Sequence, residues 1–260
     1  MINQIRADLF ALRHGATVWL CLGASALAAA LYTWLQHALA AGQLPTSAAS
    51  SVQGLSDVLL ISLLGPLLYG VIIAQPFTTR TVHTALLAAG RGAFIGAKTV
   101  LAPLVIAALM LPYGVAVVVG RMVGTDFVPA VPSTIPLLLA APEELTFARA
   151  AGVLGLSLVT GVVMAAKLAV CLPLAVWLRR PLVVMAIGFV WGFLGDLVGG
   201  KLAEVEGLDA LVALTPYHPE RVPLPETSAG DLLVTMGVCV GFIALMGLLA
   251  WILFRRADVK

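Results

Sequence analysis

Residues 232–254 read LLVTMGVCVGFIALMGLLAWILF, a run of 23 residues without a charged side chain. Two arginines, Arg255 and Arg256, follow it directly. A helix rises about 1.5 Å per residue and the hydrocarbon core of a bilayer is about 30 Å thick, so a run of this length is long enough to cross it. The stretch predicts a membrane-spanning helix that ends at the arginines.

The rest of the chain has the same apolar character. Of its 260 residues, 61% are hydrophobic and 11% are charged, whereas soluble domains average about 45–50% and about 25%. The 15 Lys and Arg and 13 Asp and Glu residues cannot cover the surface of a soluble fold of this length. The net charge of +2 is too small to indicate nucleic-acid binding. Cys21, Cys171 and Cys239 each lie inside an apolar run, which excludes a disulfide scaffold.

Five further apolar runs of comparable length bring the expected number of membrane spans to six. Because two adjacent arginines do not remain in hydrocarbon, Arg179-Arg180-Pro181 predicts a turn between the fourth and fifth spans. We expect an all-α, polytopic membrane protein, with residues 1–260 forming a single transmembrane domain. The predicted spans cover residues 16–35, 58–74, 93–119, 151–178, 182–197 and 232–254.

The placement of basic residues orients these spans, because short cytoplasmic segments collect Lys and Arg. With the N-terminus inside, ten of the 15 basic residues fall on the cytoplasmic side, and nearly all the acids fall on the outer side. We therefore expect a multi-pass protein of the cytoplasmic (inner) membrane with both termini in the cytoplasm. The ten are Arg6, Arg13, Arg80, Arg91, Lys98, Arg179, Arg180, Arg255, Arg256 and Lys260.

The first 14 residues resemble a signal peptide in their arginines and apolar stretch, but five further spans follow the first. We expect the first span to be a retained anchor. Before it, Ile2, Ile5, Leu9 and Leu12 recur at helical spacing. This spacing predicts a short helix in the inner membrane interface, with a frayed terminus as the alternative.

The loop between the second and third spans, residues 75–92, reads QPFTTRTVHTALLAAGRG. Thr78 or Thr79 is suited to begin a helix, and Gly90 is suited to end one in the left-handed conformation. A helix of about ten residues fits between them, too short to cross the membrane. Its basic flanks place it in the cytoplasm, where it is a natural docking element for a soluble partner.

This layout resembles the membrane subunit of an ABC-2-type ABC transporter: an interfacial helix, six spans, and a short cytoplasmic helix in which Thr, an apolar run, Arg and then Lys98 follow in order. In that family the short segment is a coupling helix received by a cleft in the ATPase subunit. The resemblance implies that the docking residues are Arg80, Thr81, Val82, His83, Leu86, Leu87 and Arg91.

The resemblance also implies the partners. These are two cytoplasmic ATPase subunits and a second membrane subunit, identical or similar, with spans one and five near the shared interface. Residues 90–99 fail the GxxxxGK[ST] phosphate-binding pattern, because Ala97 separates Gly96 from Lys98. We expect ATP to be bound and hydrolysed by the partner, and this chain to have no cofactor and no enzymatic activity of its own.

One enzymatic alternative is an intramembrane protease of the CAAX type, which uses paired glutamates and a following arginine. Glu143 and Glu144 precede Arg149 by four intervening residues, whereas that pattern has three, and no histidine lies within a span. We expect the two carboxylates to cap the start of the fourth span instead.

Lys167 is the one charge well inside a predicted span. Such residues are functional candidates by default, and Lys167 is a candidate pathway or gate residue. The alternatives are snorkelling to the cytoplasmic headgroups, which we favour, and pairing with another helix. Asp196, near the outer end of the fifth span, is expected at the interface.

Two pairs of glycines are spaced four residues apart, a spacing that lets helices approach closely. Gly188 and Gly192 are candidate dimer contacts because the resemblance places the fifth span near the subunit interface, with internal packing as the alternative. Gly237 and Gly241 on the sixth span are expected to serve internal packing.

The function expected from these features is export. The chain is predicted to be the membrane half of an ABC exporter for an apolar or amphipathic cargo, such as a peptide, an antibiotic or a drug-like molecule. The sparse charge within the spans argues against a dedicated ion pathway. The alternative is a secondary transporter or a non-transporting membrane scaffold. A secondary transporter calls for internal repeats with broken helices and polar groups at mid-membrane, and the sequence contains no convincing repeat.

Overall fold

A computed structural model describes residues 2–45, 47, 52, 54–79, 81–124, 146–224 and 226–256. Every regular element in these ranges is a helix, and six helical stretches are long and apolar enough to cross a membrane. The prediction of an all-α, polytopic membrane protein with six spans is confirmed.

The chain begins with the predicted N-terminal helix, α1 (Ile2–His14), followed by the first span, α2 (Ala16–Ala40). The second span combines α3 (Asp57–Tyr69), a π-helical stretch (Gly70–Ala74) and α4 (Gln75–Thr78). The wide π turn lies just before Pro76, whose nitrogen has no hydrogen to donate to the helix.

The third span is broken in two places by identifiable residues. Its first part, α5 (Val82–Ala108), contains Gly90 at φ 73° and ψ 163°, which separates a short helix, residues 82–89, from the rest. A turn at residues 109–110 then separates α5 from α6 (Leu111–Met122), where Pro112 cannot donate a hydrogen bond. The Ser25 hydroxyl on α2 donates to the Leu109 carbonyl at 2.6 Å, so this break is satisfied by a neighbouring span.

The fourth span is also interrupted. It consists of α7 (Phe147–Lys167), a single 3₁₀ turn (Leu168–Val170) and α8 (Cys171–Leu178), with Pro173 just after the turn. The Thr146 hydroxyl caps α7 by accepting a hydrogen bond from the Arg149 amide at 3.4 Å. Glu143 and Glu144, the expected caps, lie outside the described residues.

The predicted turn after the fourth span is confirmed, since Arg179 is left-handed at φ 54° and α9 (Pro181–Ala203) begins two residues later. The helix α9 is longer than the predicted span. After α9 ends, residues 204–214 contain one short helix, α10 (Asp209–Val212). The sixth span, α11 (Ala229–Arg256), contains the whole predicted run.

The six spans are not equally buried. In the most apolar part of each span, 67% of residues are buried in the second and fourth spans, but 17% in the sixth. The first and fifth spans are also mostly uncovered, at 28% and 22%. The second, third and fourth spans therefore form the centre, while α2, α9 and α11 present apolar faces to their surroundings.

Candidate functional site

The short helix 82–89 connects the second and third spans. The expected caps are wrong: the Thr78 and Thr79 hydroxyls donate back to the Gln75 carbonyl at 2.8 and 3.1 Å. The helix instead begins after Thr81, whose carbonyl accepts a hydrogen bond from the Thr84 hydroxyl at 2.8 Å. The helix ends at Gly90 as predicted, but at φ 73° and ψ 163° this residue is in an extended positive-φ conformation, open almost only to glycine, rather than in the left-handed helical one.

The predicted docking residues divide into displayed and anchored side chains. Leu87 is 90% exposed, and Thr81 and His83 are exposed beside it. Val82 is buried and Leu86 packs against the core, so these two hold the helix to the body of the protein. Arg80 lies outside the described residues.

Arg91 directs its side chain towards the last helix of the chain. Its Nη1 donates to the carbonyls of Phe254 at 3.3 Å and Arg255 at 2.8 Å, and the guanidinium carbon lies 5.7 Å from the centre of the Phe254 ring. The last carbonyls of a helix lack partners within the helix and carry partial negative charge, so a guanidinium suits them. The Arg91 side chain is thus engaged within the chain.

Lys98, the lysine that follows the docking helix in the resemblance, forms an ion pair. Its Nζ lies 2.9 Å from Asp8 Oδ1, and the two side chains are 8% and 12% exposed. Gln4 Nε2 donates to the same carboxylate oxygen at 3.1 Å. The pair joins α1 to α5. Sequence reasoning missed Asp8, although it is the only acidic residue among the first 56.

Lys167 is paired with another helix. Its Nζ lies 2.7 Å from Asp196 Oδ1 on α9, with the lysine side chain 11% exposed and the aspartate 41%. Lys167 lies eleven residues before the end of α8 at Leu178, a rise of about 17 Å. The snorkelling interpretation is wrong because the ammonium group points to α9 rather than to the helix end. Asp196, which was expected at the membrane interface, is the partner of this lysine. A pathway or gate role for Lys167 stays a prediction.

Tyr217 completes this cluster from the segment between α9 and α11. Its hydroxyl donates to the Lys167 carbonyl at 2.5 Å and accepts a hydrogen bond from Trp191 Nε1 at 2.7 Å. The 3₁₀ turn after Lys167 interrupts the regular helical bonding next to this carbonyl. Burial raises the pKa of the Tyr217 phenol, so its hydroxyl keeps its proton and remains a donor.

Tyr217 reaches this position because α9 presents glycine to it. A Cβ atom on Gly195 or on Gly199 would lie 2.6 Å from the tyrosine side chain. The contact of Tyr217 with α9 is not predicted from the sequence. The signal that could have found its contact is this glycine pair, four residues apart on one face of α9.

The candidate dimer contacts require a correction. A Cβ on Gly188 would lie 2.5 Å from Cys171 Sγ and 2.6 Å from Pro66, and one on Gly192 would lie 3.2 Å from Ser62 Oγ. Both glycines therefore pack against spans of their own chain, which was the alternative.

The second glycine pair also differs from expectation. Nothing lies within 4 Å of a Cβ placed on Gly237 or Gly241, so the expected internal packing of this pair is wrong among the described residues.

The chain matches no protein-family model and no curated protein. Within the part of the chain that the structure describes, no group of three His, Cys, Asp or Glu residues is placed to hold a metal ion. Two arrangements are left as candidate sites: the short helix with its anchored and displayed side chains, and the intramembrane Lys167–Asp196 pair with Tyr217.

Proposed function

We propose that this chain is the membrane-spanning subunit of an ABC exporter, located in the cytoplasmic membrane with both termini inside. Two separate ATPase subunits drive it, and its cargo is an apolar or amphipathic molecule such as a peptide, an antibiotic or a drug-like compound. The observation that carries the proposal is the short helix 82–89, which two membrane spans display and which presents Leu87 at 90% exposure.

The geometry of this helix suits the transmission of force. Leu87 offers an apolar contact to a cleft in the partner, whereas Val82 and Leu86 fix the same helix to the core. Closure of the ATPases around ATP would press on the helix, and the anchored side chains would pass the displacement to the second and third spans. Rocking of these spans switches the access of the pathway.

A second membrane subunit, identical or similar, completes the pathway in this proposal. The mostly uncovered apolar faces of α2, α9 and α11 support it, because each offers a surface that a neighbouring subunit can cover. Gly188 and Gly192 are not part of that surface, since they face the chain's own spans.

The docking claim is tested by the Leu87→Asp variant. The genes beside this one are searched for a P-loop ATPase, which is co-expressed with the tagged chain, and the amount of co-purified ATPase is measured. We expect Leu87→Asp to abolish co-purification, because a charge cannot enter an apolar cleft without losing its hydration.

The matched control is Leu211→Asp, which changes a leucine that is 62% exposed on α10, at the opposite end of the spans. It should leave co-purification intact. Undiminished assembly of the Leu87→Asp variant would overturn the docking claim, and the absence of a neighbouring ATPase gene would weaken the proposed function.

A specific observation favours a secondary transporter as the second candidate. The third and fourth spans are both broken, and the Lys167–Asp196 pair lies next to the 3₁₀ turn that breaks the fourth span. Broken spans with polar groups at mid-membrane are typical of secondary transporters. Proteoliposomes that contain this chain alone distinguish the two: transport of the amphipathic dye Hoechst 33342 under a proton gradient without ATPase or ATP would favour this candidate, and ATP-dependent transport with the ATPase favours the exporter.

A further inference from the structure

A cavity of about 570 Å³ opens beside the short helix 82–89. Its walls come from α1, the start of α2, the π-helical stretch with α4, the short helix itself and α5. Small-molecule sites in proteins commonly have volumes of about 300–1,000 Å³. The cavity is therefore large enough for a ligand of drug-like or short-peptide size.

The lining of this cavity is amphipathic. Val18, Val71 and Ile72 contribute apolar surface, and Thr81 and Thr84 contribute hydroxyl groups. Val71 and Ile72 belong to the second span, whereas the threonines belong to the loop region beyond it. The cavity wall thus becomes more polar from the span towards the loop. The membrane itself changes in the same way, from its hydrocarbon core to its headgroups.

The Asp8–Lys98 ion pair also lines the cavity, and it supplies the chemistry of the site. Oδ1 of Asp8 is occupied by Lys98 and Gln4. Oδ2 is buried, and no described residue donates a hydrogen bond to it. A buried carboxylate oxygen without a donor is costly, so a ligand that turns this carboxylate towards the cavity and donates to Oδ2 gains a hydrogen bond that the described residues do not supply.

The pairing also determines which charge the ligand carries. A cationic ligand that approaches Asp8 meets the ammonium of Lys98 2.9 Å from the carboxylate, and an anionic ligand meets the carboxylate itself. An uncharged N–H or O–H group meets neither repulsion and satisfies Oδ2. The site therefore favours a neutral hydrogen-bond donor over an ion.

We propose that this cavity binds an uncharged amphipathic molecule, a short apolar peptide being the simplest example, which donates a hydrogen bond to Asp8 and lays its apolar part against Val71 and Ile72. This inference rests on the proposed function only where it treats the ligand as cargo. Binding itself needs neither the ATPase nor transport, so the two claims fail separately.

The test uses the full chain in lipid nanodiscs and the probe dansyl-Leu-Leu-amide, whose fluorescence rises in an apolar site. Saturable binding is expected. The double variant Asp8→Leu/Lys98→Met removes both charges together and should weaken binding about tenfold or more, the effect of one lost hydrogen bond to a charged group. Ala88→Trp and Ala11→Trp fill the cavity from two walls without touching the pair and should weaken binding as well.

The control is Lys201→Met/Glu204→Gln, which removes an exposed ion pair at the end of α9, far from the cavity in sequence, and should leave probe affinity unchanged. Equal weakening in this control, or unchanged affinity in both tryptophan variants, would overturn the site. Where the Asp8→Leu/Lys98→Met protein fails to fold, the tryptophan variants decide alone.

The donor is tested separately with an analogue of dansyl-Leu-Leu-amide in which every N–H hydrogen, on the sulfonamide, the peptide bond and the terminal amide, is replaced by a methyl group. The wild-type chain should bind this analogue about tenfold more weakly than the parent peptide. The Asp8→Leu/Lys98→Met variant should bind both peptides alike. Equal affinity of the wild-type chain for the two peptides contradicts the assignment of Asp8 as the acceptor.

Discussion

At the scale of single residues, the Lys167–Asp196 pair is the feature most sensitive to change. The Lys167→Met variant leaves a carboxylate without its partner inside the membrane region. Breaking one side of a buried ion pair destabilises by about 3–5 kcal/mol. Because the Asp196 side chain is 41% exposed, we expect the lower end of that range.

The measurement for this pair is the thermal midpoint of the purified chain, followed by tryptophan fluorescence. The double variant Lys167→Met/Asp196→Leu should regain most of the loss, since replacing both members of a buried ion pair is often close to neutral. A double variant less stable than the single one would contradict the pairing.

A second residue-scale prediction concerns the two glycine pairs. Gly188→Ala places a methyl group 2.5 Å from Cys171 Sγ and 2.6 Å from Pro66, and overpacking of this kind costs about 1–3 kcal/mol. Gly241→Ala meets nothing within 4 Å and should stabilise its helix by about 1 kcal/mol. Thermal midpoints that shift in opposite directions confirm the assignment, whereas equal shifts contradict it.

These residues also mark what the sequence could and could not predict. A lone lysine within a charge-free run identifies Lys167 as unusual without any structure, because such a residue is expensive in lipid. Its partner could not be found in the same way. Asp196 is contributed by a different span, and Asp8 lies 90 positions before Lys98, so both pairings depend on how the helices pack.

At the scale of secondary-structure elements, Gly90 separates the short helix from the third span. Its φ of 73° and ψ of 163° lie in a region almost closed to other residues, and Gly90→Ala should therefore cost about 1–3 kcal/mol or realign the helix. The matched control is Gly92→Ala, whose new methyl group would lie 3.6 Å from Trp251 Nε1, an ordinary contact distance.

The alignment of the short helix is measured by electron-electron resonance between spin labels at Thr84→Cys and Arg256→Cys. The native cysteines are buried. We expect Gly90→Ala to shift or broaden the distance distribution and Gly92→Ala to preserve it. An unaltered distribution and thermal midpoint in Gly90→Ala would show that the positive-φ conformation of residue 90 is not required.

The elements themselves were predictable, and their interruptions were not. Each span is a long run with few charges, and Gly90 marks a helix end by its chemistry alone. Pro112 and Pro173 are visible in the sequence and indicate lost hydrogen bonds. Two hydroxyl groups compensate for these losses: Ser25 at the break before Pro112 and Tyr217 at the break before Pro173. Both come from other elements, so only the packing of the helices identifies them.

At the scale of the whole molecule, the proposed orientation makes opposite ends of the spans accessible from opposite sides of the membrane. Thr84→Cys should react with a membrane-impermeant maleimide in inside-out vesicles but not in intact cells. Leu224→Cys, on the other side of three further spans and 42% exposed in the wild type, should react in intact cells. Labelling of Thr84→Cys from outside the cell would reverse the orientation and contradict a cytoplasmic docking helix.

The arrangement of the six spans is the part of the whole that composition could not predict. The second and sixth spans have similar mean hydropathies, 2.1 and 2.5, yet the former is largely buried and the latter is not. In lipid, an apolar side chain is equally suited to face a neighbouring helix or the bilayer. Position in the bundle therefore depends on small residues and shape rather than on hydrophobicity.

The hydrogen bonds of Arg91 connect the end of the short helix 82–89 to the end of α11. Arg91 directly follows the break in α5 at Gly90, and its side chain donates hydrogen bonds to two of the last carbonyls of the sixth span. A push on the short helix consequently reaches the C-terminal helix as well as the spans that flank the loop. A fluorescent reporter fused after α11 is therefore coupled to the short helix through Arg91. A change in its fluorescence would report that a partner has bound the short helix.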